Sequence, residues 1–232
     1  MSELHDVVLV DLDGTLTDSA PGIIESITYA YRTLGLPVPG EEALRSFVGP
    51  PLHVSAARHG VSEELMPEFL SAYRVAFVDG GMLNNRVYDG IVEVLDRVHR
   101  HARVVVATSK PEIFARQIMR HFGLDQYVVA VCGATLDASR STKADVIAHA
   151  LDTVRSSPDG LVVGTPIVMV GDRLHDVEGA RVHGIATVGV RWGYAVPGEL
   201  EDAGAAAIAQ RPADLPELIR SALSPLPEPA LC

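Results

Sequence analysis

The chain has little cysteine, little net positive charge and no long apolar run, and each shortage excludes a class of protein. Two cysteines among 232 residues cannot make a disulfide framework. Cys132 closes the apolar run Val128-Val129-Ala130-Val131 and is expected to fill core, while Cys232 is terminal and expected to be mobile. No apolar stretch approaches the ~20 residues of a membrane-spanning helix. Met1 to Asp6 lacks the basic start and apolar stretch of a secretion signal. The 19 Lys and Arg against 30 Asp and Glu leave a net charge of -11, which disfavours a polyanion such as a nucleic acid. The expectation is a cytoplasmic protein with neither a membrane nor a nucleic-acid polymer as partner.

Apolar residues at 47% and charged residues at 21% are ordinary for a globular protein. The length leaves room for a full core and one inserted subdomain. The organising stretch is Val7-Val8-Leu9-Val10-Asp11-Leu12-Asp13-Gly14-Thr15. Four apolar residues, three of them β-branched, read as a strand buried on both faces. Asp11 and Asp13 follow it, two apart, so an extended backbone points them to one side. Like charges that close call for a cation or a shared proton.

From Ser19 to Val78 the apolar residues recur at helical spacing, and no strand pattern interrupts them. Ile23, Ile24, Ile27, Ala30, Tyr31 and Leu34 fit one helix face ending near Gly35. Short helices are expected around Ala43–Phe47, over Leu52–His59, and over Glu63–Val78 with Ser62 as its cap. Such a helical block before any second strand is an insertion. The division is a core of residues 1–17 plus 84–232 and an inserted cap of residues 18–83. Strands then alternate with helices: Arg103–Ala107, Tyr127–Cys132, Ile167–Val170 and Ala186–Val190 against helices over Ile91–Val98, Ile113–Phe122, Lys143–Leu151 and a short one to Val182. Thr153–Pro166 reads as a surface loop and the tail from Ser224 as loose. The fold class is therefore α/β, a Rossmann-like parallel sheet with helices on both faces and an inserted helical cap.

In a parallel sheet the carboxyl ends of the strands share one edge, where open α/β sheets bind ligands. Here these ends carry Asp11 and Asp13, then Thr108, then Asp172 and Asp176. Converging carboxylates without a Cys or His cluster suit a hard, oxygen-preferring cation such as Mg2+. Lys143 opens a helix, where the partial positive charge already present makes a cation unusual unless both cradle a phosphate.

The order and spacing of Asp11-Leu12-Asp13-Gly14-Thr15, Thr108, Lys143 and Gly171-Asp172-x-x-x-Asp176 resemble the four motifs of the haloacid dehalogenase-like hydrolases. The helices after the first strand resemble that superfamily's first cap type, C1. Val48-Gly49-Pro50-Pro51-Leu52, Ala107-Thr108-Ser109-Lys110-Pro111, Ser139–Lys143 and Gly189-Val190-Arg191-Trp192-Gly193-Tyr194 further resemble its phosphoglycolate phosphatase-like and 5'-nucleotidase-like members. Ala195 departs from the glycine usual there, which touches loop geometry and not the chemistry.

The resemblance implies a Mg2+-dependent phosphomonoesterase for a small phosphorylated metabolite, such as phosphoglycolate or a nucleotide. Asp11 would be the nucleophile, forming an aspartyl-phosphate, and Asp13 the general acid and base. Mg2+ would be held by Asp11, the Asp13 backbone carbonyl and Asp172, with Asp176 ordering its surroundings. Thr108, Ser109 and Lys143 would bind the phosphoryl oxygens. Gly49-Pro50-Pro51 would face the site, whereas Lys110, Arg140 and Arg86 read as surface salt-bridge partners, His53 and His59 as solvated, and Trp192 as packing. A monomer is expected. Two alternatives stay open: a phosphotransferase or mutase of the β-phosphoglucomutase type, and a regulatory protein directed at phosphotyrosine.

Overall fold

A computed structural model describes residues 6–158 and 160–224. The expectations for the stretch before Asp6, for the tail beyond Ser224 and for Cys232 lie outside the described residues. In chain order, strand β1 (Val7–Val10) and the two-residue β2 (Thr17–Asp18) lead into helices α1 (Ala20–Thr33), α2 (Glu41–Arg45), α3 (Leu52–Arg58) and α4 (Met66–Ala76). A π-helical turn at Phe77–Gly81 and the two-residue β3 (Arg86–Val87) bring the chain back, because β2 and β3 pair antiparallel. After α5 (Ile91–Val98) come β4 (Arg103–Pro111), α6 (Glu112–His121), β5 (Ala130–Ala134) and α7 (Lys143–Arg155). The chain then forms β6 (Ile167–Gly171), α8 (Leu174–Val182), β7 (Ala186–Val190), α9 (Glu199–Ala203), β8 (Ala207–Ala209) and α10 (Leu215–Leu223).

Six strands form one parallel sheet in the order β5-β4-β1-β6-β7-β8. The alternation of side chains along each strand divides the core. Val8, Val10, Val104, Val106, Val168 and Val170 belong to a cluster with Ile91 and Leu95 of α5, Ile118 of α6 and Ile219 of α10. Val7, Leu9, Val105 and Met169 belong to the other, with Val146, Ile147 and Ala150 of α7. Both faces of β1 are covered, which is why its sequence is continuously apolar.

Several boundaries differ from expectation. The fourth helix starts at Met66 and not Glu63, because Pro67 lacks an N–H and fits only a first turn. Ser62 instead accepts the Leu65 amide at 3.3 Å in the turn before it. β5 begins at Ala130, after a 3-10 turn at Asp125–Tyr127, and runs on to Ala134 because β4 extends through Pro111 and pairs with Gly133 and Ala134. Thr153 to Arg155 belong to α7 and not to the loop after it. Cys132 is buried, as expected, with its Sγ 3.7 Å from Thr153 Oγ1.

Candidate active site

β1 lies between β4 and β6, and the chain builds the sheet outward from it in both directions. That arrangement makes the carboxyl end of β1 a topological switch point, where a crevice opens. The Asp11 amide donates to the Val170 carbonyl at 2.9 Å, carrying the β1–β6 ladder one step beyond both strands' last apolar pair. Asp11, Thr108 on β4 and Asp172 just past β6 thus lie on adjacent strands at one edge. A hollow of about 560 Å³ at the other edge is lined by Asp6 with Arg97, His101 and Arg220, and has no second carboxylate among its described lining residues.

Asp172 is fully buried and held on both oxygens. Oδ1 accepts Thr15 Oγ1 at 3.3 Å, and Oδ2 accepts the Tyr194 amide at 2.7 Å. Gly14 makes this closeness possible: its φ is +82°, and a Cβ there would stand 2.2 Å from Asp172 Oδ2. Asp176 is 1% exposed at the start of α8, with Oδ2 accepting the Arg173 amide at 3.0 Å. Oxygens of Asp11, Asp172 and Asp176 lie within 4.8 Å of one another.

Lys143 enters this cluster from the first position of α7, whose start is fixed by reciprocal capping between Thr142 and Asp145. Gly179 of α8 leaves room for its stem, since a Cβ there would come within 2.7 Å of Lys143 Cγ. The ammonium is 2.6 Å from Asp176 Oδ1, 3.0 Å from Asp11 Oδ1 and 3.0 Å from the Ala107 carbonyl. The Ala107 carbonyl accepts a hydrogen bond from it, while its contacts with Asp11 and Asp176 are ion pairs, and Asp176 Oδ1 is buried without a hydrogen-bond partner. Burial alone would push the Lys143 pKa down, but Asp11 and Asp176 outweigh it and raise it. One cation among three buried carboxylates leaves an excess of negative charge. Burial, together with Asp176 and Asp11, accordingly drives Asp172 well above the usual carboxylate range. Burial also pushes Asp176 up to about 6, against the opposing pull of Lys143. Such an array of hard oxygen donors fits a divalent cation.

Asp13 stands on the open side. Its Oδ2 is 3.0 Å from Lys110 Nζ, and its Oδ1 is buried without a hydrogen-bond partner. A cleft of about 330 Å³ joins Asp11 and Asp13 to Thr108, Ser109 and Lys110, with Gly49-Pro50-Pro51-Leu52 opposite. Phe47, Tyr73, Phe77 and Phe114 give it aromatic walls. Tyr73 and Phe77 stack at 5.5 Å, and Phe77 meets Phe114 edge-on at 5.5 Å. Burial, with a contribution from Asp13, pushes the Tyr73 hydroxyl pKa up.

Lys110 corrects the surface reading of that residue. It is 8% exposed, and its ammonium lies 4.7 Å from the Phe77 ring centroid. Spacing held the signal: two residues past Thr108, it follows the strand's period. Arg86 and Arg140 are salt-bridge partners, of Asp18 and Glu112, each at 3.1 Å. Arg140 is only partly exposed and also donates from Nε to the Gly133 carbonyl at 2.7 Å. His53 lines the cleft, whereas His59 stacks on Phe47 at 5.1 Å. Trp192 packs against the core and donates to the Thr15 carbonyl at 3.1 Å. Sequence reasoning singled out neither Tyr194 nor Arg173 for the contacts they make. Tyr194 Oη lies 3.0 Å from Asp18 Oδ1 and accepts the Ala20 amide at 3.0 Å, where the helical block begins.

The model of a family described as haloacid dehalogenase-like hydrolase matches residues 8–190. The tyrosine-protein kinase PtkA of Mycobacterium tuberculosis is 46% identical over 193 residues, covering 83% of this chain and 64% of PtkA. The chain thus spans less than two thirds of that relative's length. A 5'-nucleotidase of Pseudomonas aeruginosa is 41% identical over 195 residues, covering 83% of this chain and 86% of the enzyme. Among solved structures, a predicted phosphatase from Clostridium acetobutylicum has a TM-score of 0.82 and 39% identity, covering 94% of this chain and 98% of the other.

Proposed function

The chain belongs to the haloacid dehalogenase-like hydrolases, and from that premise we propose that it is a Mg2+-dependent phosphomonoester hydrolase acting on a small phosphorylated metabolite in the cytoplasm. One observation carries the reading. A carboxylate on the central strand, Asp11, meets a buried ammonium and two further buried carboxylates, beside a second acid that faces an open cleft.

The Asp11 carboxylate attacks phosphorus, and the bond to the ester oxygen breaks as an aspartyl-phosphate forms. Asp13 gives its proton to the departing alkoxide, then takes one from the water that hydrolyses the intermediate. Thr108, Ser109 and Lys143 hold the phosphoryl oxygens; for Lys143 this means exchanging a carboxylate contact for a phosphoryl one. Asp11, the Asp13 backbone carbonyl and Asp172 would hold Mg2+, with Asp176 fixing the neighbouring groups. When bound, the ion would offset the repulsion between carboxylate and phosphoryl group and stabilise transferring charge. The helical block is the cap that covers the cleft and excludes water.

The size and walls of the cleft favour a nucleotide over a two-carbon acid. Four aromatic side chains surround a volume of about 330 Å³, matching a flat, partly apolar leaving group. The similarity to a 5'-nucleotidase points the same way. The similarity to PtkA, named as a tyrosine-protein kinase, favours a second reading in which the phosphoryl group passes to an acceptor other than water. Phosphate release from a panel of phosphomonoesters, with Mg2+ and with EDTA, tests the proposal. Metal-dependent release from nucleoside monophosphates is expected. Silence across the panel from folded, metal-binding protein would sink the hydrolase reading and leave the transferase.

A further inference from the structure

Arg173 follows Asp172 directly and makes two side-chain contacts that the proposed chemistry does not use. Its Nε donates to Glu199 Oε1 at 2.7 Å, and its Nη1 donates to the Val48 carbonyl at 2.7 Å. The pair is well covered, the side chains of Arg173 and Glu199 being 15% and 5% exposed. Glu199 is itself fixed, because Oε1 also accepts the Leu174 amide at 2.9 Å and Oε2 the Val196 amide at 3.2 Å. The guanidinium fork is therefore set in place from the sheet side, with one arm left to reach the helical block.

The group it reaches is the backbone just before Gly49-Pro50-Pro51, the turn that lines the cleft opposite Asp13. Gly49 has φ +108°, and a Cβ on it would come within 2.7 Å of Arg173 Nη1. The sequence of the turn thus leaves space for the guanidinium as well as supplying its acceptor. Two prolines then fix the backbone leading into α3. A contact to a main-chain carbonyl registers where the turn is, whatever its side chains are.

We infer that Arg173, held by Glu199, is a positioning residue that sets the Gly49–Leu52 turn over the cleft and so determines how tightly substrate is enclosed. This deepens the hydrolase reading and rests on it for its kinetic consequence, but the contact itself can be tested without turnover. Arg173 also donates its own amide to Asp176, so the turn is tied through one residue to the acidic cluster.

The test is hydrogen–deuterium exchange on the full chain, comparing wild type with Arg173→Ala and Glu199→Gln. The amides of Ser46, Phe47, Val48, Gly49 and Leu52 are expected to exchange about tenfold faster in each variant, with the β1 and β6 amides unchanged. Glu199→Gln keeps the argument falsifiable should Arg173→Ala fail to fold. Unchanged protection of the turn in folded variants overturns the proposal. In kinetics, KM for the best substrate of the panel is expected to rise about tenfold with a smaller change in kcat, and Arg173→Ala combined with Glu199→Gln should add little to Arg173→Ala alone. Additive effects, or a fall in kcat with KM unchanged, would also overturn it. A wild type inactive on every phosphomonoester would count against the hydrolase reading, while the exchange data would still decide the contact.

Discussion

Lys110 Nζ lies 3.0 Å from Asp13 Oδ2 while the Phe77 ring covers it from the helical block. The proposed acid and base is thus paired with a cation that the block shields from water. Removing the charge while keeping the volume, as in Lys110→Met, takes away the ion-pair partner that holds Asp13 at the edge of the cleft. A fall in kcat/KM of about 10- to 100-fold is expected. A kcat/KM equal to that of the wild type would mean that Lys110 only packs.

Lys143 should matter to folding as well as to chemistry. It is the buried cation between Asp11 and Asp176, and Lys143→Ala leaves both carboxylates uncompensated. Breaking a buried pair in this way costs about 3–5 kcal/mol. Urea unfolding at pH 7 checks it through the midpoint, with the slope expected to stay constant. The variant should also lose affinity for inorganic phosphate.

The parts of the site legible in the sequence were those tied to strand ends. Asp11, Thr108 and Asp172 each follow a continuous apolar run, and parallel pairing forces such ends to one edge. Lys143 was legible from its place at a helix start. What escaped were contacts made across long sequence separations by residues with ordinary local surroundings. Tyr194 reaches Asp18, and Arg173 reaches Val48. Lys110 shares a strand face with Thr108, but nothing local shows that Phe77, thirty-odd residues earlier, will cover it. In the fold, β8 is an Ala-Ile-Ala edge strand and β2 and β3 have two residues each, too short for any alternation to register.

The acidic cluster predicts an unusual dependence of stability on pH in metal-free protein. Asp176 is pushed up to about 6 and Asp172 is raised as well, so the folded state holds protons that the unfolded chain has released. Their contribution is most favourable below the ordinary carboxylate pKa and is lost as pH rises from about 4 through about 6. If the cluster is the Mg2+ site proposed above, Mg2+ should reverse the loss by favouring the ionised carboxylates. Melting temperatures of EDTA-treated protein should therefore gain most from added Mg2+ above pH 6. Asp172→Asn should melt higher than wild type without metal at pH 7.5, by ~2–4 °C for each kcal/mol relieved, and should no longer respond to Mg2+. Equal responses of the two proteins would remove Asp172 from the metal site.

Asp11 and Asp13 are expected to fail differently when each is replaced by Asn, and the difference tests the assignment of roles. Asp11→Asn removes the attacking oxygen's charge, so no phosphoenzyme can form and turnover should fall on the order of a thousandfold or more. Asp13→Asn leaves the nucleophile intact. With a nitrophenyl phosphate, whose leaving group departs without a proton, the first step should survive. The second step should stall, because nothing activates the water. Rapid quench and intact mass should then find one phosphoryl group on the Asp13 variant, and peptide mapping should locate it at Asp11. The same label found on the Asp11 variant would mean that another residue is the nucleophile. Asp13→Asn keeps an oxygen that can face Lys110 Nζ, and a melting curve of the variant checks that the stalled enzyme is folded.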